Sequence, residues 1–412
     1  MTFIRYPVTE PHLDDSDRSH LLDAFDSGWI SSQGPYLEKF ERGFAEFVGS
    51  AHALATCNGT TALHLALMAL DLKPGDEVIV PTFTYIASAN AVHYCGATPV
   101  FVDCSADTWN MDPAAVEAAI TDRTVGIMPV HLYGMPCDMV SLAAIATRHH
   151  LWLVEDAAEA HGASVNGKRV GSLSTIASFS LFGNKIITTG EGGVVTTDNA
   201  ALATRMALLR GQGMDPSRRY WFPTVGYNYR MTNLAAAIGV SQLAKADRLI
   251  AAHQQVHTWY REALGDMPAL AWQGERANTT SVQWLTSIRL RAAEHRPALR
   301  DTLMQRLRDD GIDTRPFFYP MHSMPPYAST APFPVADAIA SSGINVPSSP
   351  RLTRDEVFVI AARIRHHVEA IDLGDIFGGI SVASSGATGV PVTAVTTKSV
   401  TTSSVTATSA AA

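Results

Sequence analysis

Between residues 50 and 210, short apolar runs alternate with segments whose apolar residues recur at helical spacing. The runs are DEVIVP (76–81), TPVFVDC (98–104), TVGIMPVHL (124–132) and LWLVEDA (151–157), all rich in Val, Ile or Leu. A strand that is apolar along its whole length is covered on both faces, as in a parallel sheet with helices on each side. Between them, NGTTALHLALMALDL (58–72), YIASANAVHYCG (85–96) and DMVSLAAIATRHH (138–150) read as helices, with Thr60 and Thr61 as candidate N-caps of the first. ASFSLF (177–182) and GGVVTTD (192–198) complete the sheet before a helix over 199–211. The pattern predicts an α/β fold built on a mostly parallel central sheet.

Near residue 245 the pattern changes. One long helical run over 237–264 leads into the strand-like TSIRL (286–290) and a helix over 296–311. After the turn-rich RPFFYPMHSMPPYAS, a last helix spans 353–371. The expected division is a large domain with an N-terminal segment (1–245) and a smaller C-terminal α+β domain (246–376). Residues 377–412 carry one charge, Lys398, and no aromatic beyond Phe377. Such a segment has too few bulky side chains to form a core, so the expectation is a disordered tail. Its Val/Thr pattern leaves β-type self-association open.

Composition narrows the function classes. The 412 residues are 46% hydrophobic and 17% charged, with a net charge of −8. That balance argues against a nucleic-acid or anionic-membrane partner. No apolar run reaches the ~18 residues of a membrane span, and MTFIRYPVTEPHLDDSD has no signal-peptide core. Cys57, Cys95, Cys104 and Cys137 form no CxxC pair and no zinc-ligand spacing. A cytoplasmic protein without a metal is expected.

Candidate chemistry centres on SLFGNKIITTGEGG (180–193), where Lys185 is the only cation. Read alone, Lys185 is either a solvated loop lysine or an amine kept dry for reaction; the nearby Gly190, Gly192 and Gly193 imply close backbone approach and favour the second. Asn58, Gly59 and Thr60 precede a helix, where backbone N–H groups can cradle an anion, though many helices begin this way with nothing bound. Glu155 and Asp156 end a buried strand, where open α/β sheets bind ligands; a helix cap is the alternative. Asn228 and Arg230 lie in VGYNYRMTN, a loop before a helix. Together these residues make a pyridoxal 5′-phosphate site. Lys185 bonds the aldehyde, Asp156 keeps the ring nitrogen protonated, Thr60 and Ser180 hold the phosphate, and Tyr85 covers the ring. Once displaced by an incoming amine, Lys185 becomes the base that moves the substrate proton.

At these residues the sequence resembles the DegT-type nucleotide-sugar aminotransferases of fold type I. NGTTALHLAL, GDEVIVPTFTYIASANAV, ATPVFVD, EDAAEAHGA and GEGG carry the resemblance, which runs over roughly residues 5–373. WISSQGPYLEKFE, MPVHLYGMPCDM, FGNKIITTGEGG, LRGQGMDPSRRYWFPTVGYNYRMTN and RPFFYPMHSMPPYA are similar to the subgroup that makes GDP-perosamine. The resemblance implies a homodimer with shared active sites, Asn228 reaching the phosphate from the neighbouring chain. It places Glu159 over the ring beside O3′, where many members carry glutamine and this subgroup tends to carry glutamate. The implied reaction moves an amine from L-glutamate to C4 of GDP-4-keto-6-deoxymannose. Members with histidine in place of the lysine dehydrate sugars, and Lys185 argues against that chemistry.

Arg230, Tyr319, His322 and the aromatic-rich RRYWFP (218–223) are candidates for sugar and nucleotide contact, each with a packing role as its alternative. Amination at C3 (GDP-mycosamine) and a dTDP- or UDP-linked sugar remain open. So does a non-catalytic regulatory protein on the same fold, whose signature would be loss of Lys185, Asp156 or the phosphate hydroxyls.

Overall fold

The computed structural model describes residues 4–378. The tail expected from residue 377 therefore lies outside the described residues, apart from the two that finish the last helix, Arg354–Gly378.

Seven strands form the central sheet: β1 (His52–Thr56), β2 (Glu77–Pro81), β3 (Thr98–Val102), β4 (Thr124–Ile127), β5 (Trp152–Asp156), β6 (Ile176–Ser180) and β7 (Gly193–Thr197). Their order is β1-β7-β6-β5-β4-β2-β3. β2 to β6 are mutually parallel, and β7 lies antiparallel between β6 and β1. The expected parallel sheet is present, with one reversed strand. β1 is an addition to the expected strands, because its sequence HALAT has no bulky β-branched residue to mark it.

Alternation along the strands explains why both faces are apolar. On β2, Val78 and Val80 join Leu65 and Leu67 of the helix Gly59–Ala69, while Ile79 between them joins Leu142 and Ile145 of the helix Met139–Arg148. On β5, Val154 and Leu153 divide in the same way. Near β6 and β7 the second face is covered by Phe40, Phe44 and Val48 of a helix Pro35–Val48, packed on Phe179 and Val194. Each layer removes apolar surface from water at about 25 cal/mol per Å².

Four further strands, β8 (Leu270–Trp272), β9 (Ser287–Leu290), β10 (Arg315–Pro316) and β11 (Gly343–Asn345), make an antiparallel sheet in the order β8-β9-β11-β10. It packs a separate apolar cluster with Val256, Leu303 and Ile364 of three helices, and Tyr6 of the N-terminal segment joins that cluster. The single helix expected over 237–264 is two helices, Asn233–Ala244 and Ala246–Leu264. They part at Lys245 (φ −118°, ψ 11°), whose amine pairs with Asp14 and Asp17 of the N-terminal segment. Helical periodicity in the sequence carries no trace of this break.

Candidate active site

β1, β5 and β6 end at one edge of the sheet, and the residues that follow them enclose a cavity of about 600 Å³. After β1, the helix Gly59–Ala69 is capped by Asn58, whose extended backbone (φ −166°) lets its Oδ1 accept the Thr61 N–H at 2.9 Å. The cap is therefore Asn58 and not Thr60 or Thr61, which leaves the Thr60 side chain to line the cavity. Gly59 touches the end of β6: a Cβ on it would lie 2.7 Å from Ser180 Cβ and 3.1 Å from Ser180 Cα. Gly59, Thr60 and Ser180 so form one wall, whose helix-start N–H groups and two hydroxyls have the chemistry of an anion cradle.

Asp156 ends β5 with its carboxylate toward the cavity. Its Oδ2 accepts the Ser88 hydroxyl at 2.7 Å, Ser88 lies 3.1 Å from Thr84 Oγ1, and Oδ1 accepts the Ala158 N–H at 3.2 Å. Burial pushes this carboxyl above its usual range, and the Ser88 and Ala158 hydrogen bonds pull it back. Glu155, one residue earlier, points to the other face. There it takes bonds from Gly171 N–H, Leu173 N–H and Ser174, and pairs with His131 at 3.0 Å.

Lys185 follows β6 on a tight turn, with its N–H donated to Phe182 O at 2.9 Å. The side chain is 10% exposed; its Nζ lies 3.6 Å from the centroid of the Trp284 ring and 3.8 Å from Glu159 Oε1. Burial lowers the amine's pKa, opposed by the charges of Glu159 and Asp156. Burial likewise pushes the Glu159 carboxyl up to about 6. Close approach explains Gly193, where a Cβ would stand 2.4 Å from Asn58 O, and Gly192, where it would stand 2.3 Å from Thr189 Oγ1, whereas Gly190 has open space around it and serves a left-handed turn (φ 83°).

Tyr85 and Glu159 also line the cavity, Tyr85 being 58% exposed with its ring 5.7 Å from Phe318. Asn228, Arg230, Tyr319 and His322 do not line it. Asn228 is exposed, bridged to Gly211, and Tyr319 is 60% exposed. Arg230 bridges Thr56. His322 is buried, with Nδ1 2.8 Å from Thr82 Oγ1 and Nε2 3.1 Å from Asp337 Oδ1, so both ring nitrogens are taken by the protein. Sequence reasoning missed Ser88, Trp284 and Arg315. Ser88 lies three residues after Tyr85 in a segment already singled out, whereas Trp284 and Arg315 arrive from beyond residue 245 with no local motif.

These residues fit pyridoxal phosphate: a buried amine, a buried carboxylate and an anion wall share one cavity, and Asn184 presents a buried Oδ1 without a partner there. The profile of the DegT/DnrJ/EryC1/StrS aminotransferase family matches residues 11–365. The chain belongs to this family. Among DegT relatives, the GDP-perosamine synthase of Caulobacter vibrioides is 51% identical over 87% of this chain and 97% of its own length. The solved structure of DesV from S. venezuelae superposes with a TM-score of 0.82 at 36% identity, covering 88% of this chain and 99% of that one. The PLP form of a putative sugar aminotransferase, Spr1654 from Streptococcus pneumoniae, gives 0.84 at 28% identity, over 89% and 99%. Like the DegT family at large, this protein is a PLP-dependent aminotransferase on the α/β fold of that class. No helix among the described residues is long and apolar enough to cross a membrane.

Proposed function

We propose that the protein makes GDP-perosamine from GDP-4-keto-6-deoxymannose, with L-glutamate as amino donor. The observation that carries this reading is 51% identity, over nearly the full length of the relative, to a GDP-perosamine synthase. Bound PLP supplies an electron-withdrawing ring that stabilises negative charge on the substrate carbon. The chain's own residues do the rest. Lys185 Nζ would hold the cofactor's aldehyde and, when free, would serve as the base that moves the substrate proton. Asp156, which accepts the Ser88 hydroxyl, would keep the ring nitrogen protonated; the Gly59 turn, Thr60 and Ser180 would take the phosphate, and Tyr85 and Glu159, which line the same cavity, would flank the ring.

The proposed working unit is a homodimer with shared active sites. Asn228 is exposed and away from its own cavity, and Tyr220, Trp221 and Phe222 nearby expose their rings. Such a patch is suited to a partner surface. Four free cysteines fit a reducing cytoplasm, the proposed location.

The test is a panel of nucleotide-linked keto sugars with glutamate, followed by NMR of the product. The amine is expected at C4 of a GDP sugar. Amination at C3, or reaction of dTDP sugars alone, overturns the substrate assignment. Lys185→Ala is expected to abolish turnover and the visible band of the holoenzyme.

A further inference from the structure

Lys185 and Arg315 are the two cations among the residues that line the cavity. Arg315 is held by the second sheet: β10 pairs with β11 in a register that sets Arg315 opposite Asn345, and Asn345 also lines the cavity. Asn345 is itself fixed, its Oδ1 accepting the Ser287 hydroxyl at 2.7 Å. Arg315 is exposed and makes no ion pair among the described residues, although Asp156, Glu159 and Glu191 line the same cavity. The charge of Arg315 also reaches the amine, adding to the depression of the Lys185 pKa. A guanidinium with no carboxylate partner, at the wall of a cavity that must admit anions, is a receptor for one of them.

Two anionic substrates take turns in this cavity under the function proposed above, on which this inference rests. The amino donor has a carboxylate one bond from the carbon whose proton Lys185 takes. The diphosphate of the GDP sugar is attached at C1, across the sugar ring from the C4 that receives the amine. The anion nearest to Lys185 during reaction is thus the donor's α-carboxylate, and Arg315 is the cation on hand. We propose that Arg315 binds the α-carboxylate of the amino-acid donor and selects that substrate over the sugar's own charges. Its planar fork matches a carboxylate through two parallel hydrogen bonds, which a lysine ammonium does not reproduce.

The experiment separates the two half-reactions of the holoenzyme. Glutamate is added to the PLP-loaded protein, and the GDP-keto sugar to protein loaded directly with pyridoxamine phosphate, each followed by absorbance. In Arg315→Gln the half-saturating glutamate concentration is expected to rise about 10- to 100-fold while the half-saturating concentration of the GDP-keto sugar stays where it was, any change in the rate through Lys185 being common to both halves. Arg315→Lys is expected to recover only part of the loss. Calorimetric binding of glutarate, which has both carboxylates and no amine to react, is expected to weaken in parallel. An unchanged half-saturating glutamate concentration, an equal rise in both half-saturating concentrations, or a rise confined to the sugar overturns the proposal, the last assigning Arg315 to the diphosphate. If wild-type protein ignores glutamate, the function reading fails instead, and the glutarate titration still reports on Arg315.

Discussion

The Lys185 amine stands 3.8 Å from one oxygen of Glu159, and the other oxygen of that carboxylate accepts the Tyr133 N–H at 2.8 Å. Tyr133 is fully buried and takes a left-handed backbone (φ 55°), a conformation unfavourable for a bulky side chain. The turn through Tyr133 and Gly134 so fixes the carboxylate that faces the reactive amine. Glutamate there makes the state of the amine depend on a second titrating group.

That dependence predicts a pH signature. Ionised Glu159 raises the Lys185 pKa, so Glu159→Gln lowers it, and neutral amine becomes available at lower pH. Aldehyde capture requires the neutral amine. The rate of PLP uptake by the apoprotein, measured against pH, should shift toward acid in Glu159→Gln. Below about pH 6 wild-type Glu159 is itself protonated, so the two profiles should converge there. Superimposable profiles above that pH would remove Glu159 from the electrostatics of the amine.

Ser88→Ala tests the support of Asp156. The mutation removes a 2.7 Å hydrogen bond to a buried carboxylate, and the lost bond is one that lowers its pKa. Asp156 should then keep its proton to higher pH and pair less well with a protonated ring nitrogen. The expected result is a fall in kcat of about tenfold, with a loss of about 1–3 kcal/mol in apoprotein stability. Turnover and denaturant unfolding read the two effects separately.

Continuous apolar runs made the parallel strands legible, because burial on both faces leaves no polar position among Val78, Ile79 and Val80 of β2 or Trp152, Leu153 and Val154 of β5. The edge carrying Asp156, Ser180 and Lys185 was legible too, since it follows the ends of those strands. What stayed hidden depends on distance in sequence. Trp284, from the loop before β9, and Arg315 of β10 reach the cavity from beyond residue 245, and the helices part at Lys245, which pairs with Asp17. Glu155 and Asp156 look equivalent in VEDA, and only the alternation of a strand sends one to His131 and the other to the cavity.

His322 shows how a loop residue that reads as a ligand can be fully engaged by the protein. Thr82 and Asp337 occupy its two nitrogens, and the Phe333 ring lies 4.5 Å away. His322→Ala should cost about 1–3 kcal/mol of stability by leaving Thr82 and the cavity around the ring unfilled, with KM for the GDP sugar unchanged. Thermal unfolding and steady-state kinetics on one preparation decide it. A raised KM at wild-type stability would return His322 to the substrate.

Gly59→Ala addresses the phosphate wall by shape alone. The added methyl would meet Ser180 Cβ at 2.7 Å and Ser180 Cα at 3.1 Å, and the second of these is backbone that cannot rotate away. Either the helix start or the end of β6 must move, and both belong to the anion wall. Overpacking of this kind costs about 1–3 kcal/mol. PLP should therefore dissociate faster on dialysis, while Thr60→Ala, which removes a hydroxyl and adds no bulk, should weaken retention with little loss of stability. If Gly59→Ala destabilised the protein yet held PLP as tightly as wild type, the contact with Ser180 would be a packing feature separate from the phosphate.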